Sequence, residues 1–281
     1  MKVLITGANG YIGHGIVRKF LEHGHDVVAA DLNIENIDSR ADIKKCDIFQ
    51  IDSPYLYFNK PEMLVHLAWK DGCSHYSSSH IANLFHHDSF IRHFCESGVE
   101  KIAVTGSVHE IGKHEGAVDE NTPCRPLSPY GISKNALRGL LLSAGQQYKK
   151  PVQWLRRYYV AGNSGLGDTI FSKMVRASWA GVREFPFTSG LNEYDFLDYD
   201  DFCNKFYLAV MQDEINGIIN ICSGKPEKLI DRVEQFIKEN HLNIRLNIGA
   251  YPERENASRS VWGSAEKIQK IEMSAGKMQK D

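Results

Sequence analysis

The feature that most restricts the fold of this chain is a glycine-rich turn between an apolar segment and a helical pattern. KVLIT (residues 2–6) has the length and composition of a buried parallel strand, and TGANGYIG (6–13) continues directly from it. Apolar side chains then recur at helical spacing as far as Gly24. Similar strand-like segments follow at 26–31, 63–68, 101–106 and 152–160. Strands alternating with helix-length segments predict βαβ units, and therefore an α/β protein with a Rossmann-type doubly wound parallel sheet.

The alternation becomes irregular beyond residue 160, which predicts a second, smaller lobe. We expect residues 1–160, rejoined by about 195–222, to form a dinucleotide-binding Rossmann domain. Residues 161–194 and 223–281 would form a smaller C-terminal α/β lobe that binds the substrate.

Composition excludes several classes of protein. The 281 residues carry a net charge of -2, so no basic excess indicates a nucleic-acid or membrane partner. The apolar runs are shorter than the ~20 residues that cross a bilayer. Six scattered cysteines without a Cys-x-x-Cys pair favour a reducing cytoplasm. The adjacent His86 and His87 would point about 100° apart on a helix, so we expect no metal site there.

The three glycines of the turn are spaced to accept a dinucleotide. Gly7 allows a tight turn, Gly10 lets the backbone approach a pyrophosphate, and Gly13 lets the helix pack on the strand. The pyrophosphate would face the N–H groups at the helix start, which Tyr11 and Ile12 supply.

An acidic residue, Asp31, ends the second predicted strand. A carboxylate there can accept hydrogen bonds from both adenosine ribose hydroxyls and would repel a 2′-phosphate. No arginine follows directly to attract that phosphate. The sequence therefore favours NAD over NADP.

A candidate proton-transfer pair lies in SPYGISKNALRGLLL (128–142), where Tyr130 and Lys134 are one helical turn apart. Such a pair alone is common on solvated helix faces. Beside a nicotinamide, however, the lysine ammonium would stabilise the phenolate, so that Tyr130 could exchange a proton with a substrate hydroxyl. Ser107, at the end of the preceding predicted strand, would donate a hydrogen bond to the reacting oxygen, and Thr105 is the alternative.

Together these motifs resemble the extended short-chain dehydrogenase/reductase family, in its branch of nucleotide-sugar epimerases, dehydratases and reductases. The resemblance also includes CDI (46–48), HLA (66–68) and PYGISK (129–134). It implies that Lys134 holds the nicotinamide ribose, and it implies further cofactor contacts at Asp47, Ile48, Leu67, Ala68 and Trp69. The family usually has an alanine where this chain has Trp69.

The resemblance implies an NAD-dependent reaction at C4 of a nucleotide-activated hexose, either 4-epimerisation or reduction of a 4-keto sugar. A 4,6-dehydratase is disfavoured, because Val108 and His109 replace the Asp-Glu pair that such enzymes place after the serine. A carbonyl reductase of a non-sugar substrate and a non-catalytic NAD-sensing protein remain open.

On the substrate side the chain departs from the family. Tyr159 stands at the position of a family asparagine, and Tyr194 replaces an arginine that commonly holds the nucleotide diphosphate. Arg254 is the candidate for a remaining diphosphate contact. The resemblance also implies a homodimer that pairs the tyrosine-bearing helix and the helix before it with those of a second copy.

Overall fold

A seven-stranded parallel sheet forms the centre of the computed structural model, which describes residues 1–253 and 255–278. Its strands are β1 (Lys2–Thr6), β2 (Asp26–Asp31), β3 (Asp42–Lys45), β4 (Met63–His66), β5 (Lys101–Ser107), β7 (Val152–Arg157) and β11 (Gly217–Ile221). Their order is β11-β7-β5-β4-β1-β2-β3. The direction of winding reverses between β1 and β4, which confirms the predicted doubly wound fold. Ligands of such sheets bind at that reversal, outside the carboxyl ends of the strands.

Successive residues of each strand point to opposite faces of this sheet, and both faces are apolar. Helices cover both of them. Val3 and Ile5 lie in one apolar core and Leu4 in the other. The first core is closed by α1 (Tyr11–Glu22), α6 (Tyr199–Met211) and α8 (Glu266–Met278). The second is closed by α2 (Pro54–Tyr57), α3 (Ser79–Glu96) and α4 (Pro129–Tyr148).

A second sheet is centred on β10 (Glu193–Asp198). Its other strands are β6 (Gly116–Val118), β8 (Tyr159–Ala161), β12 (Pro226–Lys228) and β14 (Ser260–Gly263). A separate parallel pair joins β9 (Glu184–Phe187) to β13 (Arg245–Ile248). A third apolar core lies against these strands and includes residues of α5 (Ile170–Trp179) and α7 (Leu229–Glu239).

The predicted strand over 152–160 is two strands. β7 ends at Arg157 in the large sheet, and β8 begins at Tyr159 in the small one. The chain passes from one sheet to the other at Tyr158, whose side chain is buried. The division into a domain of residues 1–160 with 195–222 and a lobe of 161–194 with 223–281 stays a prediction. Within the described ranges, no helix combines the length and apolar character needed to span a bilayer.

Candidate active site

The glycine turn lies where the winding reverses, and it is too tightly packed to accept side chains. Gly7 has a left-handed φ of +71°, and a Cβ there would lie 2.6 Å from the Ala68 nitrogen. A Cβ on Gly13 would lie 2.2 Å from the Gly7 carbonyl oxygen. Gly10 precedes α1, and among the described residues no side chain caps that helix. The N–H groups of the first turn, at Tyr11 and beyond, therefore remain for an anion, which fits a dinucleotide pyrophosphate.

Asp31 lies at the carboxyl end of β2, beside this turn. Its Oδ2 accepts a hydrogen bond from the Asn9 backbone N–H at 2.9 Å, and its Oδ1 accepts one from Asn33 at 3.3 Å. The carboxylate thus braces the glycine turn and stays partly exposed at the same sheet edge. This position suits a hydrogen bond to an adenosine ribose.

The other predicted cofactor contacts lie along this edge. The Leu67 N–H donates to the Thr6 carbonyl at 3.1 Å, which holds the segment after β4 against the glycine turn. Asp47 accepts from the Phe49 N–H at 3.0 Å, and Ile48 is buried in the second core. Their contact with a cofactor stays a prediction.

Ser107 and Tyr130 are placed by the end of β5 and the start of α4. The Ser128 side chain caps α4 by accepting from the Gly131 N–H at 3.2 Å, which fixes Tyr130 in the first turn. The Tyr130 N–H donates to the His75 carbonyl at 3.0 Å. Both the Ser107 and the Tyr130 side chains are buried.

Lys134 is enclosed by neighbouring groups of the protein. Its Nζ donates a hydrogen bond to the Thr105 carbonyl at 2.9 Å and lies 3.8 Å from the centre of the Trp69 indole. The side chain is 3% exposed. Burial, with repulsion from Arg157, lowers the pKa of Lys134 to about 7. The ammonium therefore faces a protein carbonyl and an aromatic ring, so direct contact with a ribose requires the indole to turn away.

Trp69 is held over Lys134 by two histidines. Its ring stacks on His87 with centroids 4.5 Å apart, and its Nε1 donates to His80 Nδ1 at 3.1 Å. The Nδ1 of His87 in turn lies 2.8 Å from the Nε2 of His66, within hydrogen-bond distance. Burial lowers the pKa of His66 to about 3 and that of His87 well below its ordinary value, so both rings are neutral at physiological pH.

Arg157 is a charged residue of the site that the sequence analysis missed. It ends β7, where its Cα is paired in register with that of Ser107. Burial disfavours the charged form of Arg157, but electrostatic interaction with the titratable side chains around it, Tyr130 first, outweighs this effect and raises the pKa of Arg157 overall. Two arginines inside the apolar segment predicted as a strand over 152–160 were the signal that could have identified it. The preceding Arg156 instead forms a fully buried ion pair with Glu110.

A cavity of about 510 Å³ opens beside these residues. Ser107, His109 and Arg157 line part of it, and aromatic side chains line much of the rest. The predicted substrate residues Tyr159 and Tyr194 both line it, with ring centroids 4.6 Å apart. Arg254 lies outside the described residues. Lys173 of α5, which the sequence analysis did not single out, adds a cation to the wall and pairs with Asp168 at 3.2 Å.

Solved structures similar to this chain have the same fold. The UDP-glucose 4-epimerase of Thermotoga maritima, solved with UDP-glucose, matches with a TM-score of 0.80 at 20% identity. The match covers 95% of this chain and 92% of that one. The UDP-glucuronic acid 4-epimerase of Bacillus cereus, solved with UDP-glucuronic acid and NAD, matches with a TM-score of 0.81 at 21% identity. Here 96% of this chain and 92% of the other are covered.

Sequence similarity is more specific than these structural matches. The chain is 37% identical over 270 residues to a dTDP-6-deoxy-L-talose 4-dehydrogenase (NAD(+)) of Aggregatibacter actinomycetemcomitans, covering 94% of this chain and all of the relative. It is 25% identical to a putative UDP-glucose 4-epimerase of Methanocaldococcus jannaschii, covering 84% of this chain and 81% of that protein. The model of the NAD dependent epimerase/dehydratase family matches residues 3–222. The chain therefore belongs to the NAD-dependent epimerase/dehydratase family.

Proposed function

We propose that this chain is an NAD-dependent oxidoreductase that interconverts the 4-hydroxyl and the 4-ketone of a dTDP-activated 6-deoxyhexose. The observation that carries the proposal is the 37% identity with a 4-dehydrogenase along its whole length. The site supports it, because Ser107 and His75 line the cavity, Tyr130 stacks on His75, and Lys134 is one turn from Tyr130.

Three parts of the chain would hold the cofactor. The uncapped first turn of α1 would bind the pyrophosphate, and Asp31 would bind the adenosine ribose. Lys134 would reach the nicotinamide ribose once Trp69 leaves its face. NAD, when bound, supplies the acceptor or donor of the hydride at C4.

The side chains of the protein handle the proton. Tyr130 would take the proton of the C4 hydroxyl as the ketone forms and return it as the ketone is reduced. Ser107 would donate a hydrogen bond to the same oxygen and hold it in place. Val108, directly after Ser107, has no ionisable group, so it cannot perform the proton transfers of water elimination. Reaction at C4 alone is therefore the chemistry that these residues support.

The cavity suits a nucleotide that carries a sugar of low polarity. Tyr159, Tyr194 and Phe196 form an aromatic cluster, with the Tyr159 and Phe196 centroids 5.7 Å apart. Such rings offer stacking faces for a base and apolar contacts for a methyl group at C6. Lys173 would offer positive charge to the diphosphate, together with Arg254, which stays a sequence-based candidate.

We further propose that the protein is a cytoplasmic homodimer. The dimer would form through α3 and α4, which expose Ile81, Phe85 and Ile132, each at least 46% accessible. The cytoplasm is supported by the six cysteines, which are all free thiols.

The test is turnover of defined sugars. Purified protein would be mixed with NADH and dTDP-4-keto-6-deoxyhexoses, with UDP-linked sugars and a simple non-sugar ketone as comparisons. The proposal expects loss of NADH absorbance in proportion to 4-hydroxy product, with preference for the dTDP sugar. Tyr130→Phe should abolish turnover while its NAD affinity, measured by calorimetry, changes little.

The other outcomes each contradict the proposal. Inversion at C4 of UDP-glucose without net change in NADH would identify an epimerase. Preference for the non-sugar ketone would identify a general carbonyl reductase. NAD binding without turnover of any substrate would indicate a sensing protein.

A further inference from the structure

His109 lies next to the proposed reaction centre and faces the substrate cavity. It belongs to the single helical turn Val108–Glu110 that follows Ser107, and both His109 and Ser107 line the cavity. The Ser107 Oγ accepts a hydrogen bond from the His109 N–H at 3.3 Å. A serine hydroxyl has one donor and two acceptor sites, so this contact leaves the Ser107 proton available for a substrate oxygen.

The turn that carries His109 is anchored in the protein interior. Glu110, the next residue, is fully buried and forms an ion pair with Arg156 at 2.6 Å. Its carboxylate also accepts a hydrogen bond from the Trp154 Nε1 at 2.8 Å. The turn packs closely on α4, because a Cβ on Gly131 would lie 2.4 Å from the His109 carbonyl oxygen. The backbone of His109 is therefore tightly held, with its side chain at the cavity wall.

The His109 ring contacts both the proposed proton-transfer residue and the aromatic cluster of the cavity. Its centroid is 5.9 Å from that of Tyr130 and 6.4 Å from that of Tyr159. It also contacts the ring of His75, 4.3 Å away, which stacks on Tyr130 with centroids 5.0 Å apart. A sugar whose reacting carbon faces Tyr130, and whose nucleotide reaches the aromatic cluster, would therefore pass His109.

The chemistry of the sugar decides which of its groups suits an imidazole. In a 6-deoxyhexose, C4 lies between C3, which carries a hydroxyl, and C5, which carries the apolar C6 methyl group. An imidazole donates and accepts hydrogen bonds, so it matches the hydroxyl. The aromatic cluster matches the methyl group.

We propose that His109 is a specificity-determining residue that binds the C3 hydroxyl of the sugar and so orients C4 towards Tyr130 and Ser107. The inference rests on the proposed function, which supplies the 6-deoxyhexose and the reaction at C4. A hydrogen bond at the carbon next to the reaction centre restricts the orientations of C4, so it raises the rate as well as the affinity.

The experiment is a binding cycle between His109 and the hydroxyl, measured by calorimetry. Its probes are a dTDP-6-deoxyhexose, its 3-deoxy counterpart and dTDP alone, each with NADH present, because the reduced cofactor and a 4-hydroxy sugar do not react with each other. His109→Leu and His109→Ala remove the hydrogen-bonding ring, whereas His109→Gln retains a donor and an acceptor. His114→Leu is the matched control, because His114 is exposed and, among the described residues, is not one that lines the cavity.

We expect the wild-type protein to bind the 3-hydroxy sugar roughly 5- to 20-fold more tightly than the 3-deoxy sugar, and His109→Leu and His109→Ala to lose that preference. His109→Gln should regain part of it, and His114→Leu should keep all of it. The affinity for dTDP alone should be the same in every variant. In turnover assays, His109→Leu should lower kcat/KM for the 3-hydroxy substrate at least as much, with little further change for the 3-deoxy substrate.

Three results would overturn the inference. They are a wild-type protein without preference for the 3-hydroxyl, a folded His109→Leu or His109→Ala protein that keeps the preference, and a loss of dTDP affinity as large as the loss for the sugar. A merely structural role would weaken binding of both sugars equally. If the wild-type protein binds the sugar with this preference but turns over none of the sugars, the proposed function fails, while the binding cycle still decides the role of His109.

Discussion

Replacing Lys134 with methionine should stabilise the protein at low pH although it removes a residue of the active site. Lys134 is fully buried, with one hydrogen bond to Thr105 and an aromatic contact with Trp69 as its compensation. Methionine has a similar length and fills the same space without a charge. The variant therefore isolates the cost of burying the ammonium.

The size of this effect follows from the pKa of Lys134. Burial first, and Arg157 second, lower that pKa from 10.5 to about 7. At about 1.4 kcal/mol per pH unit, the difference corresponds to roughly 5 kcal/mol. Loss of the hydrogen bond and of the aromatic contact would offset roughly 1–3 kcal/mol. We expect a net gain in unfolding free energy of roughly 2–4 kcal/mol below pH 7.

The sign of the pH dependence is the sharper part of the prediction. In the unfolded chain the lysine stays protonated up to its ordinary pKa of 10.5, whereas in the folded protein it loses the proton near pH 7. The cost is therefore fully present below pH 7 and is relieved as the pH rises from 7 toward 10.5. The advantage of Lys134→Met should shrink over that range.

Urea unfolding of the nucleotide-free proteins at about pH 6 and about pH 9 measures this difference. Lys101→Met is the matched control, because the Lys101 ammonium is also buried but pairs with Asp213 and donates to two backbone carbonyls. That control should be destabilised at both pH values. A Lys134→Met protein less stable than wild type at the lower pH, or with an advantage independent of pH, would refute the reasoning.

Three further predictions concern the glycine turn and the second sheet. Gly13→Ala places a Cβ 2.2 Å from the Gly7 carbonyl oxygen. Thermal melts should therefore show a loss of roughly 2–4 kcal/mol in stability, and NAD binding should be abolished. A normal NAD affinity of this variant would contradict the tight packing of the turn. Asp31→Ala removes the brace of Asn9 and the ribose acceptor, and calorimetry should show NAD affinity weaker by roughly 10- to 100-fold. Equal loss in an Asp31→Glu variant would indicate that only the brace matters. The Asp195 carboxylate accepts hydrogen bonds from three backbone N–H groups and one hydroxyl. Asp195→Asn places an amide there, so chemical unfolding should show a loss of roughly 2–4 kcal/mol in unfolding free energy. An unchanged unfolding free energy would refute this role.

The large sheet was predictable because its strands are buried on both faces and are therefore nearly continuous apolar segments. β1 and β5 could be located in this way, and the glycine turn fixed the first crossover. β3 was missed because it is an edge strand of sequence DIKK, with partly exposed side chains. β6 and β14 have three and four residues, too few for a periodic pattern, and they pair across a large sequence separation.

The same limit applies to the active site. Local spacing identified Tyr130 and Lys134, because a helix fixes which side chains share a face. What covers Lys134 could not be predicted, because Trp69 reaches it only through packing against His87 and His80 of α3. These contacts depend on how the segment after β4 and α3 fold together, and no local pattern encodes them.

Trp69 and Arg157 have linked consequences for the charge around Tyr130. The indole covers the ammonium of Lys134 and shields it from water, and Arg157 adds repulsion, so the charge of the lysine is weakened from two sides. The guanidinium that repels Lys134 belongs to a residue that lines the same cavity as Ser107. A site that depended on Lys134 alone would lose its positive charge above neutral pH. Arg157, by contrast, keeps its charge above that pH and lines the substrate cavity beside Ser107.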